Sequence, residues 1–255
     1  DKFNKKVYKK TFIGQNPTPY ELFLKVLDTY YPLSEDKNIQ TPSQLTNGKY
    51  SDYLYQTDAI EKTLDILHKH NGAIVADVVG LGKSIIAAAV AKNLNINTLT
   101  ICKPASEKDW NEYKTEFGID GRVISKGMLH KVLKNRGEYL KDTDQKENQN
   151  LIIIDEAHEF RNNKGTEYSK LHEICSGNMV LLLTATPMSN KPEDTVSLIN
   201  LFQEPDMTTL QTIDSLSETT KEIFRKYKQM LNSAKKARSV ESTTNSSDEQ
   251  KETVQ

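Results

Sequence analysis

The sequence predicts an α/β fold, a doubly wound and mainly parallel sheet with flanking helices. Three observations carry the prediction. The uninterrupted apolar runs Leu151–Ile154 and Met179–Leu183 have the composition of strands buried on both faces. Runs of this kind alternate along the chain with segments of helical period, which implies parallel strands joined by right-handed crossovers. The stretch from Gly72 to Ser84 reads as a buried strand and a tight glycine loop, and it opens into the small, apolar helix Ile85–Lys92.

The elements follow in order. Residues 1–10 form a basic arm, with Lys2, Lys5, Lys6, Lys9 and Lys10 interleaved with Phe3 and Tyr8; it either touches phosphates or is a solvated terminus. Thr18, Pro19 and Glu21 make a helix start, and Leu22, Leu24, Val26, Leu27 and Tyr30 form the face of a helix that ends near Pro32. Residues 33–50 read as a loop. A second helix opens at Tyr55 and turns Ile60, Leu64, Ile66 and Leu67 to one side. Beyond the glycine loop come a strand at Thr98–Cys102, a helix at Glu107–Phe117 with Trp110, Tyr113 and Phe117 at helical spacing, a strand at Arg122–Ser125 and a helix at Lys126–Arg136. Residues 137–149 are charged and loop-like. Helices at Glu167–Cys175 and Pro192–Phe202 flank the Met179–Leu183 strand. An amphipathic helix spans Ser217–Arg238, with Ile223, Phe224, Tyr227, Met230 and Leu231 on one side, and the polar residues 239–255 cannot bury enough apolar area to order themselves.

The 255 residues carry 34 Lys and Arg against 35 Asp and Glu, so any nucleic-acid surface must be a local patch rather than a bulk charge. Two cysteines, Cys102 and Cys175, provide no disulfide framework and suit a reducing, cytoplasmic setting. No apolar run is long enough to span a membrane, and no membrane partner is expected. The first residue is Asp1 and not Met, so the chain is expected to be a part of a longer protein.

The chemistry concentrates at three strand ends. Gly80, Leu81 and Gly82 can turn backbone N–H groups toward an anion, with the dipole of the following helix adding positive potential. Lys83 supplies a mobile ammonium for phosphate, and Ser84 a hydroxyl small enough to ligate Mg²⁺. Position 77, where a general nucleotide loop has glycine, is Asp77. Gln56, upstream, is either an exposed helix-start glutamine or an amide reading both donor and acceptor of an adenine edge. After the Leu151–Ile154 strand stand Asp155, Glu156 and His158; strand alternation is expected to send the two carboxylates different ways, Asp155 to Mg²⁺ and Glu156 to an attacking water. After the next strand, Thr184 and Thr186 can hydrogen-bond to that cluster and to the loop beyond. His172-x-x-Cys175 with Cys102 could suggest a metal, but lone helical His and Cys are more often packing residues.

Asp77-Val-Val-Gly-Leu-Gly-Lys-Ser84, Asp155-Glu-Ala-His-Glu-Phe-Arg-Asn162 and Leu183-Thr-Ala-Thr-Pro-Met-Ser-Asn190, in this order, resemble motifs I, II and III of superfamily 2 helicases. Asp77, Arg161-Asn162 and Asn190 resemble the Swi/Snf-type branch, and Phe12-Ile-Gly with Pro17-Thr-Pro-Tyr-Glu-Leu22 resembles bacterial members that often carry an upstream phospholipase D-like nuclease domain. The resemblance implies a RecA-like P-loop NTPase lobe over 51–203, preceded by an arm, helix and loop over 1–50 and followed by a helical extension over 204–238 and a flexible tail over 239–255. It implies that Gln56 contacts adenine, Lys83 and Ser84 the phosphates and Mg²⁺, Asp155 the Mg²⁺ and Glu156 the catalytic water. His158, Thr184 and Thr186 would link the nucleotide to double-stranded DNA, whose backbone would meet Lys103, Ser106, Ser125 and Lys126. Arginines of a second RecA-like lobe would complete the ATP site, so the chain alone is expected to bind ATP and Mg²⁺ yet hydrolyse slowly. Two other expectations stand beside the translocase: the motor subunit of a restriction or phage-defence complex, and an ATP-dependent switch or scaffold module in which binding does the work.

Overall fold

The computed structural model describes residues 39–77, 80–141, 150–160, 165–186, 192–203, 218–219, 222–230 and 232–233. The basic arm, the helix expected at 18–32, the Arg161-Asn162 and Pro187–Asn190 parts of the motifs and the 239–255 tail lie outside them.

The strands are β1 (Gly72–Val75), β2 (Thr98–Cys102), β3 (Gly121–Ser125), β4 (Leu151–Ile154) and β5 (Met179–Leu183). They form one parallel sheet in the order β1-β5-β4-β2-β3. The strand after the glycine loop's own, β2, therefore does not pair with it; β5 and β4 lie between them. This is the RecA-like arrangement that the motifs imply, with β5 between the strand of the glycine loop and the strand of the carboxylates. Every residue of β4 is fully buried, as expected where helices cover both faces.

The helices are α1 (Pro42–Leu45), α2 (Leu54–His70), α3 (Lys83–Leu94), α4 (Glu107–Glu116), α5 (Leu129–Lys134), α6 (Arg136–Tyr139), α7 (Thr166–Cys175) and α8 (Pro192–Ile199). α2 and α3 pack on each other, α2 against β1 and α3 against β5. The run Ile86 to Ala91 in α3 is buried throughout, because alanines let that helix approach closely. On one face of the sheet, Leu99, Ile101, Ile152, Ile154, Val180 and Leu182 join α5, α7 and α8 in one apolar cluster. The alternate residues Leu151, Ile153 and Leu181 are equally buried and turn to the other face.

The amino-terminal edge of the sheet is tied by asparagines. Asn97, just before β2, donates through Nδ2 to Asn150 Oδ1 over 2.7 Å. Asn150, just before β4, donates in turn to Asn178 Oδ1 over 2.8 Å, and Asn178, just before β5, to Ile174 O over 2.9 Å. Asn150 is 0% exposed; its amide also accepts from Lys141 N and donates to Lys141 O, at 2.8 and 3.0 Å. An amide has two donors and two acceptor sites, and all four are engaged.

Several expectations change. Residues 33–50 are not all loop: α1 forms because Thr41, Pro42 and Gln44 make a helix start, with Thr41 N donating to Gln44 Oε1 at 2.9 Å. On α2, Ile66 is 43% exposed and Thr63 takes its place on the buried face, since a stripe through Ile60, Leu64 and Leu67 passes over position 63 and misses 66. The helix expected over Lys126–Arg136 is broken into a 3₁₀ turn, α5 and α6, because Asn135 has φ −124° and ψ 49°. Residues 222–230 are helical, but Ile223, Tyr227 and Met230 are 60, 53 and 72% exposed, so that apolar side is not buried on this lobe.

Candidate functional site

The glycine loop leaves β1 and turns into α3. Gly80 and Gly82 have φ 92° and 77°, in the left-handed region that a Cβ disfavours. At Gly82 the restriction is double, because a Cβ there would lie 2.4 Å from Gln56 Nε2. Around Gly80 no atom of the described residues beyond its chain neighbours would lie within 4 Å of such a Cβ, so that flank of the loop is open among them. Gln56 is 3% exposed, which removes the alternative of a solvated helix-start residue. Its Nε2 donates to Leu81 O over 3.2 Å, while its Oε1 is buried without a hydrogen-bond partner. A buried acceptor left so costs about 1–3 kcal/mol, a penalty that a bound donor relieves. Lys83, the first residue of α3, turns its ammonium back to donate to Asp77 O at 2.8 Å. Ser84 follows in the same helical turn, partly buried.

At the carboxyl edge of β4, the route by which the two carboxylates diverge differs from expectation. The strand ends at Ile154, so alternation does not extend to Asp155 and Glu156. Glu156 instead adopts φ 51°, and the chain turns into a 3₁₀ segment at Ala157–Phe160. That turn lets Asp155 Oδ1 accept the Glu156 N–H at 2.9 Å. Asp155 Oδ2 accepts the indole N–H of Trp110 at 2.9 Å. Trp110, 2% exposed and read from the sequence only as a residue at helical spacing, fixes the orientation of a candidate-site carboxylate. A signal existed, since indole is a donor with no acceptor capacity and a buried one needs an oxygen.

His158 joins the two strand ends. Its Nδ1 lies 3.2 Å from Glu156 Oε2 and 3.3 Å from Thr184 Oγ1. The Nδ1 hydrogen-bonds with Thr184 Oγ1, and the Glu156 carboxylate stands beside the same nitrogen. Thr184, fully buried, also accepts the N–H of Thr186 at 3.1 Å, and its own N–H donates to Val75 O at 3.2 Å. The chain Glu156, His158, Thr184, Thr186 thus crosses from β4 to β5, and Thr184 touches the end of β1.

Of the four residues expected to face nucleic acid, Lys103 and Ser106 sit on the segment after β2, Ser125 ends β3 and Lys126 follows it. Lys103 and Lys126 converge on Glu159, with Nζ at 3.2 Å from Oε1 and 2.5 Å from Oε2. Partial burial would raise the Glu159 carboxyl, but the hydrogen bonds from Lys126 and Lys103 outweigh it and hold it below the ordinary glutamate value. Ser106 donates its backbone N–H to Lys103 O at 3.0 Å, and Ser125 closes β3. The thiols are buried, and burial pushes Cys102 up to about 12 with the Asp155 charge adding to it; Cys175 is pushed up by burial alone. No helix among the described residues is long and apolar enough to cross a membrane.

Residues 129–245 match the family described as the SNF2-related domain. The carboxylates and Thr184 to Thr186 fall inside this span, and the glycine loop precedes it. The chain is 31% identical over 159 residues to an uncharacterized ATP-dependent helicase, YqhH, of Bacillus subtilis, covering 56% of this chain and 28% of that protein. It is 25% identical over 193 residues to the ATP-dependent helicase fft1 of Schizosaccharomyces pombe, covering 66% and 20%. It is 24% identical over 199 residues to the chromodomain-helicase-DNA-binding protein 1-like of Mus musculus, covering 68% and 22%. Among solved structures, the SWI2/SNF2 ATPase core of Sulfolobus solfataricus in complex with dsDNA aligns with a TM-score of 0.49 at 23% identity, over 68% of this chain and 38% of that one. The chain spans about a quarter of the length of the curated relatives it matches, and its similarity is to proteins named as ATP-dependent helicases.

Proposed function

We propose that the chain is the ATP-binding lobe of a Swi/Snf-like, DNA-dependent ATPase and translocase of the cytoplasm. The observation that carries the reading is the grouping around β5. The open glycine loop, the Asp155–Glu156 pair and Thr184 stand at adjoining strand ends, and Gln56 beside the loop keeps a buried acceptor without a donor. That acceptor fits the exocyclic amine of adenine, and the absence of a side chain at Gly82 keeps the amide in place. Gly80, Leu81 and Gly82 offer the backbone N–H groups that cradle phosphate. Lys83 exchanges Asp77 O for a phosphate oxygen. Ser84 and Asp155 have the hard oxygen donors that hold Mg²⁺, which when bound neutralises phosphate charge. Glu156 takes the proton of the attacking water, with its carboxylate steadied by His158 Nδ1; Thr184 and Thr186 relay the state of that pair to the loop after β5.

In this reading double-stranded DNA meets Lys103, Ser106, Ser125 and Lys126, and arginines of a second RecA-like lobe are needed for fast hydrolysis. The chain alone therefore binds ATP and Mg²⁺ and turns over slowly. Titration with a fluorescent ATP analogue tests the nucleotide site. Lys83→Ala should weaken binding by about 10- to 100-fold, the worth of a charge-assisted hydrogen bond. Equal affinities in the two proteins would reject the site.

Trp110 is the sole tryptophan, so its emission reports on Asp155 directly. In the presence of ATP, adding Mg²⁺ should shift that emission in the wild type and not in Asp155→Asn. Trp110→Phe should raise the Mg²⁺ concentration needed for half-maximal analogue binding several-fold and leave metal-free binding unchanged.

A further inference from the structure

Lys103, Lys126 and Glu159 belong to three separate loops, after β2, β3 and β4, which are adjacent strands in the sheet. The single carboxylate takes one lysine on each oxygen, at 3.2 and 2.5 Å. All three side chains keep contact with solvent, with 39, 46 and 26% of Lys103, Lys126 and Glu159 exposed. Two ammonium groups brought to one oxyanion from different loops form a site for an anion with two acceptor oxygens, which is also the chemistry of a phosphodiester. The Glu159 N–H donates to Glu156 O at 3.0 Å, so this carboxylate stands on the same turn as Glu156.

We propose that Glu159 is a built-in competitor for the nucleic-acid backbone: it occupies the lysine pair when no nucleic acid is bound, and a phosphodiester must displace it. The inference rests on the reading of Lys103 and Lys126 as backbone contacts. Three consequences follow from charge. The trio carries one net positive charge with Glu159 in place and two without it. Removing the carboxylate frees both ammonium groups for phosphate, so affinity rises. It also steepens the dependence of affinity on salt, because each added protein charge at the phosphates raises the slope of log K against log salt by about 0.9.

The test is fluorescence anisotropy of a labelled DNA duplex with the full 255-residue chain. It compares wild type, Glu159→Gln, Glu159→Ala, Lys103→Ala and Lys126→Ala at several salt concentrations, each checked for native circular dichroism and unfolding temperature. The Glu159 variants should bind about 3- to 10-fold more tightly, as expected for release of two partly exposed ion pairs, with a steeper salt slope. The lysine variants should bind more weakly. If the lysine variants weaken binding while both Glu159 variants leave it unchanged or weaken it, Glu159 is a structural brace and the competition is overturned, with the nucleic-acid surface intact. If the lysine variants bind as the wild type does, or the wild type does not bind duplex, the surface itself is wrong and the competition falls with it.

Discussion

Glu156→Gln is expected to leave ATP affinity within about twofold of wild type and to lower kcat of the full-length protein by about 10²–10⁴, the range for loss of a positioned general base. The substitution keeps size and shape and removes proton affinity. Its local structure should persist, because an amide of the same size fills the place 3.2 Å from His158 Nδ1 and that nitrogen keeps its bond with Thr184 Oγ1 at 3.3 Å. The backbone is undemanding, since Gln tolerates the φ of 51° no worse than Glu does. A single-turnover assay separates the two effects: analogue binding reports the affinity, and release of inorganic phosphate reports the chemistry. A variant that hydrolyses at the wild-type rate would remove Glu156 from the reaction, whereas normal hydrolysis by the full-length wild type would remove the alternative of a module in which binding alone does the work.

Asn150→Leu is expected to destabilise the chain by about 1–4 kcal/mol, although it places an apolar residue of similar size at a position that is 0% exposed. Hydrophobicity favours the substitution, but polar satisfaction opposes it more strongly. Asn97 Nδ2, Asn178 Oδ1 and both backbone groups of Lys141 each lose a partner. A buried group left unpaired costs about 1–3 kcal/mol, whereas burying a leucine side chain returns about 1.5–3 kcal/mol. Asn178 Oδ1 keeps the Asn150 backbone N–H at 3.3 Å and Asn97 Nδ2 keeps Tyr139 O at 3.1 Å, which limits the loss to the lower part of the sum. Urea denaturation measures it; a midpoint equal to wild type would show that the asparagine row is decorative.

β1, β2, β4 and β5 were legible because each is a short, mainly apolar run between turn formers that the sheet buries, whereas in the edge strand β3 only Ile124 is buried. The order β1-β5-β4-β2-β3 was not legible in the sequence, because strand pairing is set by how helices pack across the sheet and leaves no mark on the periodicity of any one strand. Lys83, Ser84, Asp155 and Glu156 were visible because their chemistry has few alternatives in that spacing. The partners of these residues were hidden. Trp110 lies 45 positions from Asp155, and at helical spacing an indole that packs and an indole that donates look the same. Glu159 read as one more charge beside His158, because nothing local says that two lysines, 56 and 33 residues upstream, converge on it. Ile66 and Thr63 exchanged places because a helical stripe selects position before polarity, and a threonine methyl packs well enough once its place is on the inside.

The asparagine row has a mechanical consequence. It clamps three neighbouring strands at their starts with neutral bonds that neither salt nor moderate pH loosens. The other ends of those strands carry Lys103, Asp155, Glu156, His158 and Thr184 of the candidate site. These three strands therefore resemble cantilevers with a common anchored base. In the proposed function a change at the tip of β4 would reach the tip of β5 through His158 and Thr184, while the base holds the register against which that small movement is read.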